Sequence, residues 1–277
     1  MSMSMPVLAV SSMFFHEYTC EEIFSFVSVS SLNGIEFWLE TPHFWLRNCP
    51  VEEVTACMQS HPEIMAISVH APILDLNPCS INPRVAEISI GYAVRSIRLA
   101  EQLGAGVLTV HPGRRTAKRP PSDADFKRFD HYIAVLRHAA HETAMKIGIE
   151  NMEHIVNSLL CTPSGVRALL DNEPWLNFTL DVSHAMAGSP DEVYTYIELC
   201  ADRLINVHLS RAEAKRLHLP LDCSQEMARV IWALRDCGYT GPITLEIDDL
   251  NFNHPLTPQE KVVILKADRA FLAQCFG

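Results

Sequence analysis

"LNFTLDVSHA" (residues 176–185) opens as an apolar, β-branched strand and closes on an aspartate and a histidine. A strand dry on both faces has no use for Asp181 or His184 unless the pair forms a surface turn or something positive sits beside it. Runs of the same kind recur along the chain. They are "VLAVSS" (7–12), "GIEFWLE" (34–40), "AISVHAP" (66–72), "GVLTVHPG" (106–113), "KIGIENM" (146–152), "LINVHLS" (204–210) and "GPITLEI" (241–247). With the first, that makes eight.

The segments between them read as helices. Ile90, Val94, Ile97 and Leu103 recur at helical spacing, and Gly104 is placed to end that helix. Ser122 reads as an N-cap followed by acids in the first turn. "SPDEVYTYIELC" (189–200) is another helix start, and a last helix covers 258–275. No linker or low-complexity tract breaks the alternation. Eight β-then-α units predict an α/β protein, a single (β/α)8 TIM barrel forming one domain over 1–277; an open doubly wound sheet is the alternative.

Side chains alternate along a strand, so residues two apart share a face. His70 pairs with Ser68, His111 with Thr109, Glu150 with Gly148, Asp181 with Thr179, His208 with Asn206 and Glu246 with Thr244. In each case a small or polar residue precedes a metal-ligand type near the strand's end. In a barrel this face points inward and the strand C-termini form the mouth, so the six residues are expected to converge. Imidazole with carboxylate suits zinc, manganese, iron or cobalt, and clustered carboxylates without a cation would be pushed up in pKa. Taken singly, such a residue is more often a hydrogen-bonded strand end than a ligand; six in register do not read that way.

Bulk properties narrow the function. The net charge of −11 leaves no basic excess for a general nucleic-acid coat. Nine cysteines, an odd number without any C-x-x-C, read as thiols in a reducing compartment. No secretory signal and no run of about 18 apolar residues is visible, so a soluble cytoplasmic protein without a membrane partner is expected. No Gly-rich nucleotide fingerprint follows any strand.

The ordered set "GIEFW", "VHAP", "VHPG", "IEN", "LDVSHA", "VHLS", "HLPLD" and "LEI", spanning residues 34–247, resembles the xylose isomerase-like TIM barrels. That superfamily includes sugar and sugar-phosphate isomerases and epimerases, and endonuclease IV. The resemblance implies an epimerase-type metal site of Glu150, Asp181, His208 and Glu246. The endonuclease pattern adds a second ion at His70 and His111, bridged by Glu150, so one or two divalent ions (zinc, manganese or cobalt) are implied per chain. That pattern's third site uses the residues matching His184 and His218, but Arg216 stands where it has an aspartate. A guanidinium cannot ligate a cation and would instead contact a substrate phosphate or carboxylate.

Two chemistries follow from the resemblance. In the first, a sugar or sugar phosphate is isomerised or epimerised through an enediolate. Glu150 and Glu246 exchange the carbon-bound proton, and His184 binds a hydroxyl or the enediolate oxygen. In the second, the alternative, an endonuclease IV-like phosphodiesterase acts at abasic DNA, and nucleic acid is the less favoured partner. A sugar-binding barrel without catalysis is a third reading. A homo-oligomer is compatible with the sequence.

Glu36 reads as a substrate contact or a structural carboxylate, and Trp38 as a platform for a sugar face. Asn151 reads as a partner of Glu150 or substrate, or as a turn residue. The loop "GRRTAKRPPSD" (113–123) reads as a phosphate-gripping lid led by Arg114, with Arg115, Lys118 and Arg119, or as a solvated loop. Cys79 near the mouth reads as packing, as do all nine cysteines.

Overall fold

All eight runs form strands in the computed structural model, which describes residues 6–213 and 216–276. They are β1 (Leu8–Ser11), β2 (Gly34–Trp38), β3 (Ala66–His70), β4 (Val107–Val110), β5 (Lys146–Glu150), β6 (Asn177–Asp181) and β7 (Leu204–Leu209). A short hairpin, β8 (Arg211–Glu213) and β9 (Arg216–Leu219), precedes the eighth barrel strand, β10 (Ile243–Leu245). The barrel closes in the order β1-β10-β7-β6-β5-β4-β3-β2, with every neighbouring pair parallel.

The surrounding helices are α1 (Cys20–Val29), α2 (Val51–Ser60), α3 (Pro83–Gln102), α4 (Asp123–Ala140), α5 (Pro163–Asn172), α6 (Val182–Gly188), α7 (Glu192–Cys200), α8 (Gln225–Asp236) and α9 (Pro258–Phe276). Outward strand residues such as Phe37, Val69, Leu108, Ile149, Phe178 and Val207 are fully buried beneath them. This is the (β/α)8 barrel that the alternation predicted. The ends of the expected 1–277 span fall outside the described residues. Among those residues, no helix is long and apolar enough to cross a membrane.

Gly104 ends α3 at φ +68°, a left-handed conformation that suits glycine. Ser122 caps α4, with Asp125 accepting from its backbone N–H at 2.8 Å. Several strands end before the runs read from the sequence: β2 at Trp38, β3 at His70, β4 at Val110, β5 at Glu150 and β10 at Leu245. The sixth strand stops at Asp181 rather than running to residue 185, because the Asp181 carboxylate accepts from the His184 N–H at 2.6 Å and starts α6 there. The hairpin β8–β9 was not anticipated.

The register explains why the strand tips meet. Partners are Glu36↔Ser68, His70↔Thr109, Thr109↔Gly148, Glu150↔Thr179, Asp181↔His208 and Thr244↔His208. At most steps a site residue lies level with the small residue that stands two positions before the next site residue. Strand tilt thus builds two stacked inward layers, small and polar below and ligand-type above. The lower layer is tight: a Cβ on Gly148 would overlap Thr179 Oγ1.

Candidate metal centre

Glu150, Asp181, His208 and Glu246 each offer one ligand atom, and these four atoms lie within 4.8 Å of one another. All four residues are buried. Asp181 divides its carboxylate between two tasks. Its Oδ1 accepts from the His184 N–H and from Ser183 Oγ, while Oδ2 is buried without a hydrogen-bond partner among the described residues. Asn151 fixes the Asp181 backbone, accepting from its N–H at 2.8 Å and donating to its carbonyl at 2.9 Å. His208 is set from below. Its Nε2 lies 2.9 Å from Glu36 Oε1, which leaves Nδ1 3.0 Å from Glu246 Oε2 and 3.5 Å from Glu150 Oε1. Asn206 and Ser68 donate to the other Glu36 oxygen at 2.7 and 3.1 Å.

Two further groups share these residues. His70 and His111 approach Glu150 Oε2 at 3.3 and 3.0 Å, and with it form a second candidate ligand set. His70 Nδ1 lies 2.7 Å from the Ala71 carbonyl, which directs Nε2 at Glu150. Asp181, His184 and His218 form a third set. His184 Nδ1 is 2.9 Å from the Asn151 carbonyl, so this nitrogen is the donor and Nε2 is left for a ligand or substrate.

The electrostatics show a centre short of positive charge. Burial pushes Glu246 up to about 7, and Glu150 and Asp181 add to that despite His208 beside it. Burial also works against Glu150, but His111 and His208 hold it well below the ordinary carboxylate value. Burial opposes a charge on His208, yet Glu246, Glu36 and Glu150 hold it well above the ordinary imidazole value. His70 and His184 are raised to about 9 against burial, by Glu150 for the former and Asp181 then Glu150 for the latter. Burial lowers His111, and takes His218 to about 4. The imidazoles nearest the carboxylates therefore hold protons where a cation would serve. Asp181 Oδ2 has no hydrogen-bond partner among the described residues, while His208 Nδ1 and Glu246 Oε2 meet each other at the same centre. A buried orphan carboxylate oxygen on a mixed imidazole–carboxylate set fits a divalent ion.

A cavity of about 310 Å³ opens over this centre. His70, His111, Glu150, His184, His218 and Glu246 line it, as do Trp38 and, at the rim, Arg114. Two expected contacts lie elsewhere. Glu36 does not line the cavity; it is fully buried one layer down, buttressing His208. Arg216 also does not line it, because the β8–β9 hairpin turns its side chain outward onto Glu213 at 2.8 Å.

Of its four basic side chains, the loop brings Arg114 alone to the cavity. Arg115 reaches the Pro120 carbonyl and lies 3.7 Å from Asp125, while Lys118 and Arg119 are exposed. Asn77 ties this loop to the β3–α3 loop, accepting from the N–H of Arg114 and of Cys79 at 3.1 Å each and donating to the Arg114 carbonyl at 2.9 Å. Cys79 is buried, and burial pushes its thiol up to about 12. Phe37 and Phe44 pack edge to face in the core, and Trp45 packs on Tyr92. The sequence reading missed Met13, Ser89, Ala93 and Tyr132 of the cavity wall. Three of these sit on helices outside the barrel, where helical spacing reads as plain core.

The chain is 30% identical to the uncharacterized protein MJ1188 of Methanocaldococcus jannaschii over 96% of this chain and 97% of that one. Its fold is similar to that of an L-ribulose 3-epimerase, with TM-score 0.79, 17% identity, and 98% and 95% of the two chains covered. It is also similar to an endonuclease IV from Thermus thermophilus, with TM-score 0.71, 19% identity, and 97% and 100% covered. At these identities the structural likeness is one of fold. The model of one family matches residues 26–275, and the chain belongs to that family, the xylose isomerase-like TIM barrels.

Proposed function

We propose that this chain is a divalent-metal-dependent isomerase or epimerase of a sugar or sugar phosphate. Glu150, Asp181, His208 and Glu246 would hold the ion, as zinc, manganese or cobalt. When bound, the ion supplies Lewis-acid polarisation of a carbonyl. One observation carries the reading: Glu150 and Glu246, two buried carboxyls, line the same cavity. Glu150 takes the proton from the carbon beside the carbonyl, and Glu246 returns one. Delivery to the opposite face inverts that carbon, and delivery to the neighbouring carbon isomerises. His184 steadies the enediolate oxygen through the nitrogen that Asn151 leaves unused, and Trp38 offers its face to the sugar. The fold shared with an L-ribulose 3-epimerase supports the assignment. Nine free cysteines are compatible with a cytoplasmic enzyme acting on a small molecule.

A phosphodiesterase of the endonuclease IV kind is the second reading. The His70–His111–Glu150 and Asp181–His184–His218 groups favour it, since two or more ions can clamp a phosphate. The outward Arg216 removes one contact that a backbone phosphate would use.

The test is deuterium wash-in from heavy water, followed by NMR across a panel of ketoses and ketose phosphates on metal-loaded protein. Exchange at the carbon beside the carbonyl is expected, falling by at least about 100-fold in Glu246→Gln, as for loss of a general acid–base group. No exchange with any member, together with cleavage of an abasic oligonucleotide, would replace this reading by the second.

A further inference from the structure

The cavity continues well past the metal centre. Its inner end is made of strand tips. From there it passes over the ends of β3 and β4 to the α3–α4 pair, where Ser89, Ala93 and Tyr132 form part of its wall with Ile73, Leu76 and Pro78 of the β3–α3 loop. The Ser89 hydroxyl is already engaged: it accepts from the Asn77 N–H at 2.8 Å and donates to the Val85 carbonyl at 2.7 Å. That end therefore presents mainly carbon; besides Asp75 of the same loop, one polar group stands there. Tyr132 is 2% exposed, and its hydroxyl makes no hydrogen bond to protein among the described residues. Burial keeps the phenol protonated, well above its ordinary value. The far end is thus an apolar wall with a single donor.

An unsubstituted sugar carries polar groups along its whole length. In this end it would lose water without gaining hydrogen bonds, at a cost of roughly 5- to 150-fold in affinity per polar group. An anionic group is also poorly served, because Asp75 and Glu153 line the cavity together with Arg114. We propose that the substrate is a sugar bearing an apolar, aryl- or alkyl-type substituent, linked through an ether, ester or glycosidic oxygen away from its carbonyl. The sugar sits at the metal centre, the substituent fills the α3–α4 end, and the Tyr132 hydroxyl donates to the linking oxygen. This rests on the isomerase or epimerase reading above for the sugar half.

Two measurements separate the halves. In the first, benzyl alcohol alone is titrated onto the metal-loaded protein and followed by saturation-transfer NMR. Saturable binding is expected, at least about tenfold weaker in Ala93→Leu, which fills the wall. In Tyr132→Phe, which keeps the packing, binding is expected to weaken about three- to tenfold, the loss of one hydrogen bond. No saturable binding, or equal affinity in wild type and both variants, overturns the subsite. In the second, deuterium wash-in is compared for the terminal-hydroxyl benzyl ether and methyl ether of one ketohexose. Faster exchange of the benzyl ether at low concentration is expected. Exchange of ketoses with no benzyl alcohol binding removes the subsite and leaves the reading of the centre intact. Benzyl alcohol binding with no exchange of any sugar does the reverse.

Discussion

Asp268 of α9 is a carboxyl in the core, 3% exposed, that among the described residues accepts only from the Leu221 N–H, at 3.2 and 3.3 Å. Burial pushes it up to about 7, with Asp222 adding and the Leu221 hydrogen bond and Arg211 opposing. The folded protein therefore keeps a proton that the unfolded chain, with a carboxyl near 3.8, releases. Its contribution is fully present below about 4, is lost as pH rises to about 7, and is flat beyond. Asp268→Asn should leave stability at pH 4 nearly unchanged and raise it at pH 8, on the order of 2–4 kcal/mol. Denaturant unfolding at the two pH values measures this, and an equal effect at both would show the carboxyl to be ordinary. The same scale shows what alternation cannot tell. It put Glu36 on the inward face, correctly, but gives no height along the barrel. Height comes from the stagger, which pairs Glu36 with Ser68 and leaves it one layer under His70. Arg216 was placed through the resemblance, and a hairpin two short strands long, which carries little periodic signal, turns it away.

The joint between β6 and α6 makes one side chain serve strand, helix and candidate metal centre at once. Asp181 Oδ1 caps α6 and Oδ2 faces the centre. The two duties separate by substitution. Asp181→Asn keeps a capping oxygen but loses the anionic ligand, so metal should be lost while α6 amides stay protected from hydrogen exchange. Asp181→Ala removes both, at a capping cost of about 0.5–2 kcal/mol, and α6 amides should then exchange faster. Hydrogen exchange by mass spectrometry with metal analysis reads both outcomes. Metal held at wild-type stoichiometry by both variants would dismiss Asp181 as a ligand. The strands were legible because each is a short β-branched run between longer amphipathic ones. The seven-residue α6 was not, because Val182 continues the strand's apolar pattern and only the folded cap marks the change.

Across the whole molecule, the centre draws on β5, β6, β7 and the end of β10, so an ion there links strands far apart in sequence. At an ion concentration about 1,000 times its dissociation constant, binding would add about 4 kcal/mol. For a chain of this size that is roughly 8–16 °C in Tm. Chelation followed by reloading with manganese, cobalt or zinc should lower and then restore Tm by that order. A Tm indifferent to every ion would count against the centre. The barrel and the convergence of strand tips were legible because eight units in one order leave few topologies. The α3–α4 wall was not, since nothing in a helix's own spacing says that a gap lies beside it. The Asn77 clamp carries a consequence for how this protein can change. By holding the loops after β3 and β4 to each other through two hydrogen bonds, and its own loop to itself through a third, it makes that side of the mouth one rigid panel. Lengthening either loop would break the panel. A change in what this side of the mouth accepts would then come from exchanging side chains on a fixed backbone rather than from remodelling either loop.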